Sequence, residues 1–462
     1  MSATKLLYQT LIQTKINPVG LAIFRICYAT IFFLEVLQIF KYKELYFDPL
    51  PFINKSQIDY TYPLLAWMLV LFGIIIGYRT KWLVIANYVF TISIIATLTT
   101  FEYHMHYIYT VINFLMIFLP VSNVLSIDSY LDNSKKQKVS KLYYYLPIFF
   151  GIGLIYFDSI FYKFKSEIWI NGLGFWLPSS VPQMIVRDFS WLLDSELLVK
   201  GIGYYILVFE AVFIFLMFNK KYRLILLFSG ILLHLGILLV YPIPLFALGV
   251  MCIYLLMVPV CFWKKIPLFN IATIDEIDQT IGANFPNEKR VLWLSMILIL
   301  FQLNVTLNFS FTTSKYAKNL YNKIGVEKEV MYISNKFKDF SDALFGIAPH
   351  GVFTDYHFTG TNPILAISFE SKSQHIFLPL TNKNSFVNKK AIGPIWANWG
   401  FRVNSQNLNY PLMKMGIPRY VSFWAHKNGV ELDNSTFTIL SKNIDPLDLK
   451  SWEKGYLRRQ VD

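Results

Sequence analysis

The stretch Val19–Phe40, VGLAIFRICYATIFFLEVLQIF, has only Arg25 and Glu35 as charged side chains. About 20 mainly apolar residues coiled as an α-helix cover the ~30 Å hydrocarbon core of a bilayer, so this stretch reads as a membrane span. Runs of the same kind follow at Tyr62–Gly77, Trp82–Thr100, His106–Val121, Leu142–Phe161, Leu197–Phe218, Arg223–Val240, Pro242–Trp263 and Val291–Phe309. The expectation is a polytopic α-helical membrane protein with about nine transmembrane helices in residues 1–310. Composition agrees. The chain is 55% hydrophobic and 15% charged, against roughly 25% charged in a soluble domain.

The segments between the runs carry the rest of the organisation. Residues 162–195 are aromatic and mixed, with Gly172, Gly174, Pro178 and Pro182. They read as a non-spanning, partly re-entrant piece, which is tolerated at membrane depth when protein buries it. After Ser310 the composition changes. Ile364–Phe369, His375–Leu380, Arg419–Ala425 and Thr436–Leu440 read as short strands separated by turn residues. Residues 311–462 are therefore expected to form a mainly β extracytoplasmic domain, with Trp396, Trp399 and Trp424 packed towards the bundle.

Charge sets the orientation. Lys5, Lys15, Arg79, Lys81, Lys135, Lys136, Lys138, Lys141, Lys220, Lys221, Arg223, Lys264, Lys265, Lys289 and Arg290 fall on one side of a nine-span arrangement. Fewer basic residues fall on the other. The positive-inside rule then predicts a cytoplasmic N-terminus and an extracytoplasmic C-terminal domain. The first run lacks a small-residue cleavage site and reads as a retained helix. The net charge of +13 follows from these loops, so no nucleic-acid partner is expected. Cys27, Cys252 and Cys261 form no CxxC pair, which argues against a zinc site or a disulfide framework. Asn304-Val-Thr, Asn308-Phe-Ser and Asn434-Ser-Thr fit the glycosylation pattern and read as chance matches.

An ionisable side chain inside a span costs at least ~2.5–3.5 kcal/mol and is a functional-site hypothesis by default. Arg25, Glu35, His106, Asp158, Glu210 and His234 qualify, and Lys163 stands just beyond Asp158. Lys163 lies between Tyr156-Phe157-Asp158 and Phe164, with Trp169 following. Desolvation in such a setting lowers a lysine pKa and allows a neutral amine base. The alternatives are a snorkelling interfacial lysine or an ion pair with Asp158. His106 at a helix start is either a donor to a developing oxyanion or a satisfied interfacial histidine. His104 and His106 point apart on a helix, so no metal is expected. His234 either lines a cavity or bonds a neighbouring helix. Arg25 and Glu210 are expected to form a structural ion pair.

Several of these residues sit in recognisable stretches. Asn17-Pro-Val-Gly-Leu-Ala-Ile-Phe-Arg25-Ile resembles the opening of the horizontally transferred transmembrane domain family, which includes the vitamin K-dependent γ-glutamyl carboxylases. Gly77-Tyr-Arg79, Met105-His106-Tyr-Ile-Tyr and Ser126-Ile-Asp128-Ser-Tyr-Leu look similar to it. So do Tyr156-Phe157-Asp158-Ser-Ile-Phe-Tyr-Lys163-Phe with Trp169-Ile-Asn-Gly172, and Leu233-His234 before Leu245-Phe246-Ala-Leu-Gly. The resemblance covers about residues 17–265. It implies a reduced quinone of the menaquinol or vitamin K type, used with O₂ to generate a strong base. That base removes a glutamate side-chain proton, and CO₂ captures the carbanion. Lys163 matches the family's catalytic lysine, and His106 its functional histidine. Met105 replaces the family's Asn before that histidine, Tyr162-Lys163 stands for its lysine pair, and Asp158 replaces a small apolar residue. Similarity in the C-terminal region is confined to Phe345-Gly346 and Trp396–Arg402.

Two functional expectations follow. One is a quinol-dependent carboxylase-like or oxygenase-like membrane enzyme, with Lys163 as base, His106 as anion stabiliser and a peptide or protein substrate on the extracytoplasmic side. The other is a non-enzymatic assembly, export or peptide-maturation partner. Either is embedded in membrane lipid.

Overall fold

The computed structural model describes residues 9–46, 58–95, 97–98, 103–180, 184–187, 189–270, 286–313, 323–325 and 327–354. Beyond these it describes four strands and residues 393–394, 421–422, 425 and 429–431. The main helices are α1 (Val19–Lys41), α2 (Thr61–Ile76), α3 (Thr80–Phe90), α4 (His104–Met116) and α5 (Leu142–Lys163). They continue with α6 (Glu196–Leu216), α7 (Arg223–Val240), α8 (Pro244–Tyr254), α9 (Pro286–Thr313) and α10 (Glu327–Phe345).

Five of these helices are long and apolar enough to cross a membrane: Val19–Lys41, Leu142–Lys163, Glu196–Leu216, Arg223–Val240 and Asn287–Asn308. The chain is a mainly helical integral membrane protein, but the expected nine full-length spans are corrected to these five among the described residues. Of the other four runs, Tyr62–Gly77 and His106–Val121 are themselves only 16 residues long, and all four are helical for too short a distance. The 16 residues of α2 rise about 24 Å at 1.5 Å each. That helix stops at Gly77, whose φ of 73° is left-handed, and Arg79 follows at 44°. The third run is helical only as far as the π-turn Thr91–Ile95. The fourth is a helix of 13 residues. The eighth starts at Pro244 and passes into a 3-10 turn at Leu255–Met257.

A satisfied polar chain and a stack of rings hold the first four helices together. Tyr28 Oη lies 3.1 Å from Asn113 Oδ1, and Asn113 Nδ2 donates to Thr91 Oγ1 at 2.8 Å. Thr91 in turn donates to the Asn87 carbonyl, and Trp67 Nε1 donates to Asn87 Oδ1 at 2.8 Å. The Phe32 ring stacks on Tyr109 at 4.2 Å and meets Trp67 edge-on at 5.3 Å. At one end of the bundle, β1 (Lys15–Ile16) pairs antiparallel with β2 (Val139–Ser140), Lys15 opposite Ser140. This ties the N-terminal segment to the start of α5.

The region after residue 354 holds one four-stranded antiparallel sheet, in order β4 (His375–Phe377), β3 (Asn362–Glu370), β5 (Thr436–Ile444), β6 (Leu457–Gln460). Two expected strands, Ile364–Phe369 and Thr436–Leu440, lie inside β3 and β5. Of Arg419–Ala425 the described residues Val421, Ser422 and Ala425 are helical, so that expectation is corrected. With few strands, a mainly β domain is not supported. Residues 378–380, Trp396, Trp399, Trp424, the rest of 396–402, and Asn434 and Ser435 lie outside the described residues.

Candidate functional site

Helix α5 is built irregularly. Pro147 stands inside it, and a π-turn at Phe149–Gly153 precedes its last stretch, Leu154–Lys163. Proline withholds one backbone donor, and π-turns often re-aim side chains at functional sites. A Cβ on Gly151 would come within 2.8 Å of Ile112, so the bare glycine lets α4 approach. The last residue of α5 is Lys163, which is 5% exposed. Its Nζ lies 2.6 Å and 2.5 Å from the two carboxylate oxygens of Glu210 on α6. The same ammonium sits 4.4 Å above the Trp169 ring. Lys163 is thus neither snorkelling nor paired with Asp158. It is a buried cation held by one carboxylate and one aromatic face.

Asp158, one and a half turns earlier, is fully buried and looks the other way. It accepts 2.5 Å from Thr306 Oγ1 on α9 and 2.8 Å from the backbone N–H of His350. His350 belongs to a segment, Gly346–Phe353, that inserts between helix ends. Gly346 has φ +63°, and a Cβ there would meet the Tyr107 carbonyl at 2.2 Å. Ile347, Ala348 and His350 are buried. His350 Nδ1 lies 3.5 Å from His104 Nδ1, and its ring packs against Tyr107. Burial first, then the charge of His104, pushes the His350 imidazole down to about 3. Three residues on, the Phe353 carbonyl accepts from Trp169 Nε1 at 2.7 Å. One segment therefore reaches from the start of α4 to the ring that covers Lys163.

His106 lies two residues beyond His104 on α4 and is buried. Its ring meets Tyr103 edge-on at 5.4 Å, and Tyr103 leads to Phe246 at 6.3 Å. Phe246 stacks on His234, which neighbours Tyr254. The Tyr254 hydroxyl is 3.0 Å from that of Tyr156 on α5. His234 Nδ1 is 3.0 Å from the Gly230 carbonyl of its own helix. A belt of rings thus runs from His106 to the helix that carries Lys163. Beside it, Glu35 is fully buried. Among the described residues neither of its carboxylate oxygens has a hydrogen-bond partner, nor has the Tyr109 hydroxyl. Tyr46, Tyr103 and Tyr109 are close enough to interact with the Glu35 charge.

The expected Arg25–Glu210 pair is not formed. Arg25 donates to the carbonyls of Val121, Ile75 and Leu125, while Asp128 receives the backbone N–H groups of Arg79 and Thr80. Arg25 thus anchors the turn after α2 at the opposite end from Lys163. Among the described residues no group of three His, Cys, Asp or Glu side chains is placed to hold a metal ion.

The profile of the HTTM domain matches residues 13–263, more than half of the chain. The chain belongs to the HTTM domain family. That family is linked to vitamin K-dependent carboxylases. No curated protein and no solved structure matches this chain. The HTTM match ends before α9 and α10, so Thr306 and His350, which fix Asp158, lie outside the HTTM domain.

Sequence reasoning missed the role of Glu210 as partner of Lys163, and missed Thr306 and His350 entirely. Glu210 carried a signal, being an acid in a span, but its partner sits 47 residues away on another helix. His350 carried only a weak one, the small-residue run Gly-Ile-Ala-Pro-His-Gly.

Proposed function

We propose that this chain is a quinol-dependent, carboxylase-like membrane enzyme in which Lys163 is the base and His106 the anion stabiliser. The observation that carries the reading is Lys163 itself. It is a buried amine at a helix end, with a carboxylate at 2.5–2.6 Å and an aromatic lid. A lysine acts as a base only as the neutral amine. Glu210 can take the ammonium proton across that short contact, leaving amine and carboxylic acid with the same total charge. The amine is then free to accept a proton from a hydroxyl of the reduced quinone, while the carboxylic acid keeps the first one. Water exclusion by Trp169 and by Gly346–Phe353 strengthens this exchange, since charge separation is costlier in a dry site.

The residues around His106 fit a reduced quinone. Tyr103, Phe246 and His234 offer ring faces, and the unpartnered oxygens of Glu35 and Tyr109 offer hydrogen-bond partners for two ring hydroxyls. When bound, such a group supplies, with O₂, the oxidising power that generates strong base. His106 would orient an oxygen anion by donating a hydrogen bond. We further propose a cytoplasmic N-terminus with residues after about 310 outside, the five long apolar helices being odd in number and so leaving the two on opposite sides of the membrane.

The test is incorporation of radiolabelled CO₂ into a glutamate-containing peptide by the purified protein with reduced menaquinone and O₂. Label appearing in the peptide only with the reduced quinone supports the enzyme. No incorporation with any quinol or peptide, from a folded sample, favours the non-enzymatic assembly or maturation partner, for which Lys163–Glu210 is a structural pair.

A further inference from the structure

The far end of the bundle from Lys163 carries a small recess of about 20 Å³ that is partly open to solvent. Its walls include Ile148, Met217, Leu256 and Met257, and its polar side is Lys141 and Arg223. Four elements meet here: the starts of α5 and α7 and the ends of α6 and α8. The 22 residues of α5 put this end about 33 Å from Lys163.

The charges here are all of one sign. Lys141 is half-buried, and its Nζ lies 5.2 Å from the Tyr145 ring. Burial first, then Arg223 and Lys220, pull its ammonium below the ordinary lysine value. Arg223 donates through Nε to the Met257 carbonyl at 2.6 Å and through Nη2 to Leu256 at 3.2 Å. Among the described residues none of Lys141, Lys220 and Arg223 is in an ion pair. By contrast, Lys15 at the same end pairs with Glu288 at 3.0 Å, and buried Lys163 pairs with Glu210. Elsewhere this chain supplies a carboxylate to a partly buried lysine. Here it brings three cations together, with no carboxylate paired to them among the described residues.

We propose that the basic cluster at this recess binds the phosphate headgroup of an anionic membrane lipid, with Lys141 and Arg223 on the phosphate and the acyl chains in the surrounding bilayer. Basic pockets between helices at a membrane face suit such headgroups. A free phosphate shares the charge chemistry, but the cluster sits at the ends of the long apolar helices Leu142–Lys163, Glu196–Leu216 and Arg223–Val240, at the level of lipid headgroups, which favours the lipid. Lys141 and Arg223 are unrelated to Lys163, so this site stands whether or not the chain is an enzyme.

The experiment uses the full chain in neutral detergent and follows its thermal unfolding. The additives are phosphatidylglycerol, phosphatidylcholine, or inorganic phosphate at matched concentration. A saturable rise in Tm with phosphatidylglycerol alone is expected, with the effect weakened by added salt. K141Q should weaken the apparent affinity about tenfold, as for loss of one charge-assisted contact, and K141R should restore most of it. K220Q, on an exposed side chain, should weaken it by about two- to threefold and serves if K141Q does not fold. The proposal is overturned if phosphatidylcholine raises Tm equally, or if both glutamine variants bind like the parent. An equal rise with inorganic phosphate overturns the lipid in favour of a free anion.

Discussion

The Lys163–Glu210 pair makes the sharpest energetic prediction. Both side chains are under a tenth exposed, and the ammonium touches both carboxylate oxygens. Removing one partner leaves a buried, uncompensated charge, which costs about 3–5 kcal/mol. For E210M the Trp169 face returns part of this, since a desolvated cation–π contact contributes about 2 kcal/mol, so a loss near 3 kcal/mol is expected. K163M strands the carboxylate with no such ring and should lose nearer 5 kcal/mol. K163M/E210M removes both charges together and should fall within about 1–2 kcal/mol of the parent, because apolar replacement of a whole buried pair is close to neutral. The coupling energy is then at least about 3 kcal/mol. Urea unfolding in mixed micelles, read by tryptophan fluorescence, measures all four corners of the cycle. Additive single costs, with coupling below about 0.5 kcal/mol, would falsify a tight pair in the folded protein.

Three further outcomes are expected. D158N keeps an acceptor for the His350 N–H but weakens both bonds to Asp158; amide hydrogen exchange across 346–353 should accelerate about tenfold or more, and unchanged exchange would show that Asp158 does not hold the segment. His350 binds fewer protons folded than unfolded, because burial and His104 depress it from 6.5 to about 3, so stability should fall as pH drops through that window; Asp158 and Tyr107 also face it, and H350N should flatten the slope if His350 is its source. A cysteine at position 373, in a background lacking Cys27, Cys252 and Cys261, should react with an impermeant thiol reagent on intact cells, whereas labelling only after permeabilisation would reverse the orientation.

The membrane character of the chain was legible because hydrocarbon thickness imposes a length on apolar runs, and Val19–Lys41 meets it without interruption. The helix count was not, because hydropathy does not register backbone breaks. Tyr62–Gly77 ends where Gly77 and Arg79 turn left-handed, and the Pro242–Trp263 run breaks at Leu255–Met257. Lys163 stood out as a lysine among aromatics, and the 140° offset that separates it from Asp158 on a helix follows from periodicity alone. Its true partner did not, since Lys163 and Arg25 are equal claimants to Glu210 until tertiary packing places them at different ends. The insertion of Gly346–Phe353 was invisible for the same reason. Its hold depends on Asp158, Thr306 and Trp169, residues far apart in the chain.

The central claim is that the quinol-driven removal of a carbon-bound proton depends on Lys163 as a base, and deuterium exchange at the glutamate γ-carbon tests it most directly. A peptide carrying deuterium at that carbon, incubated with the protein, reduced menaquinone and O₂ in ordinary water, should lose label. The loss should vanish in K163M/E210M while that variant unfolds at close to the parental urea concentration. Undiminished loss of deuterium from the folded double variant would contradict the account and return Lys163 to a purely structural place beside Glu210.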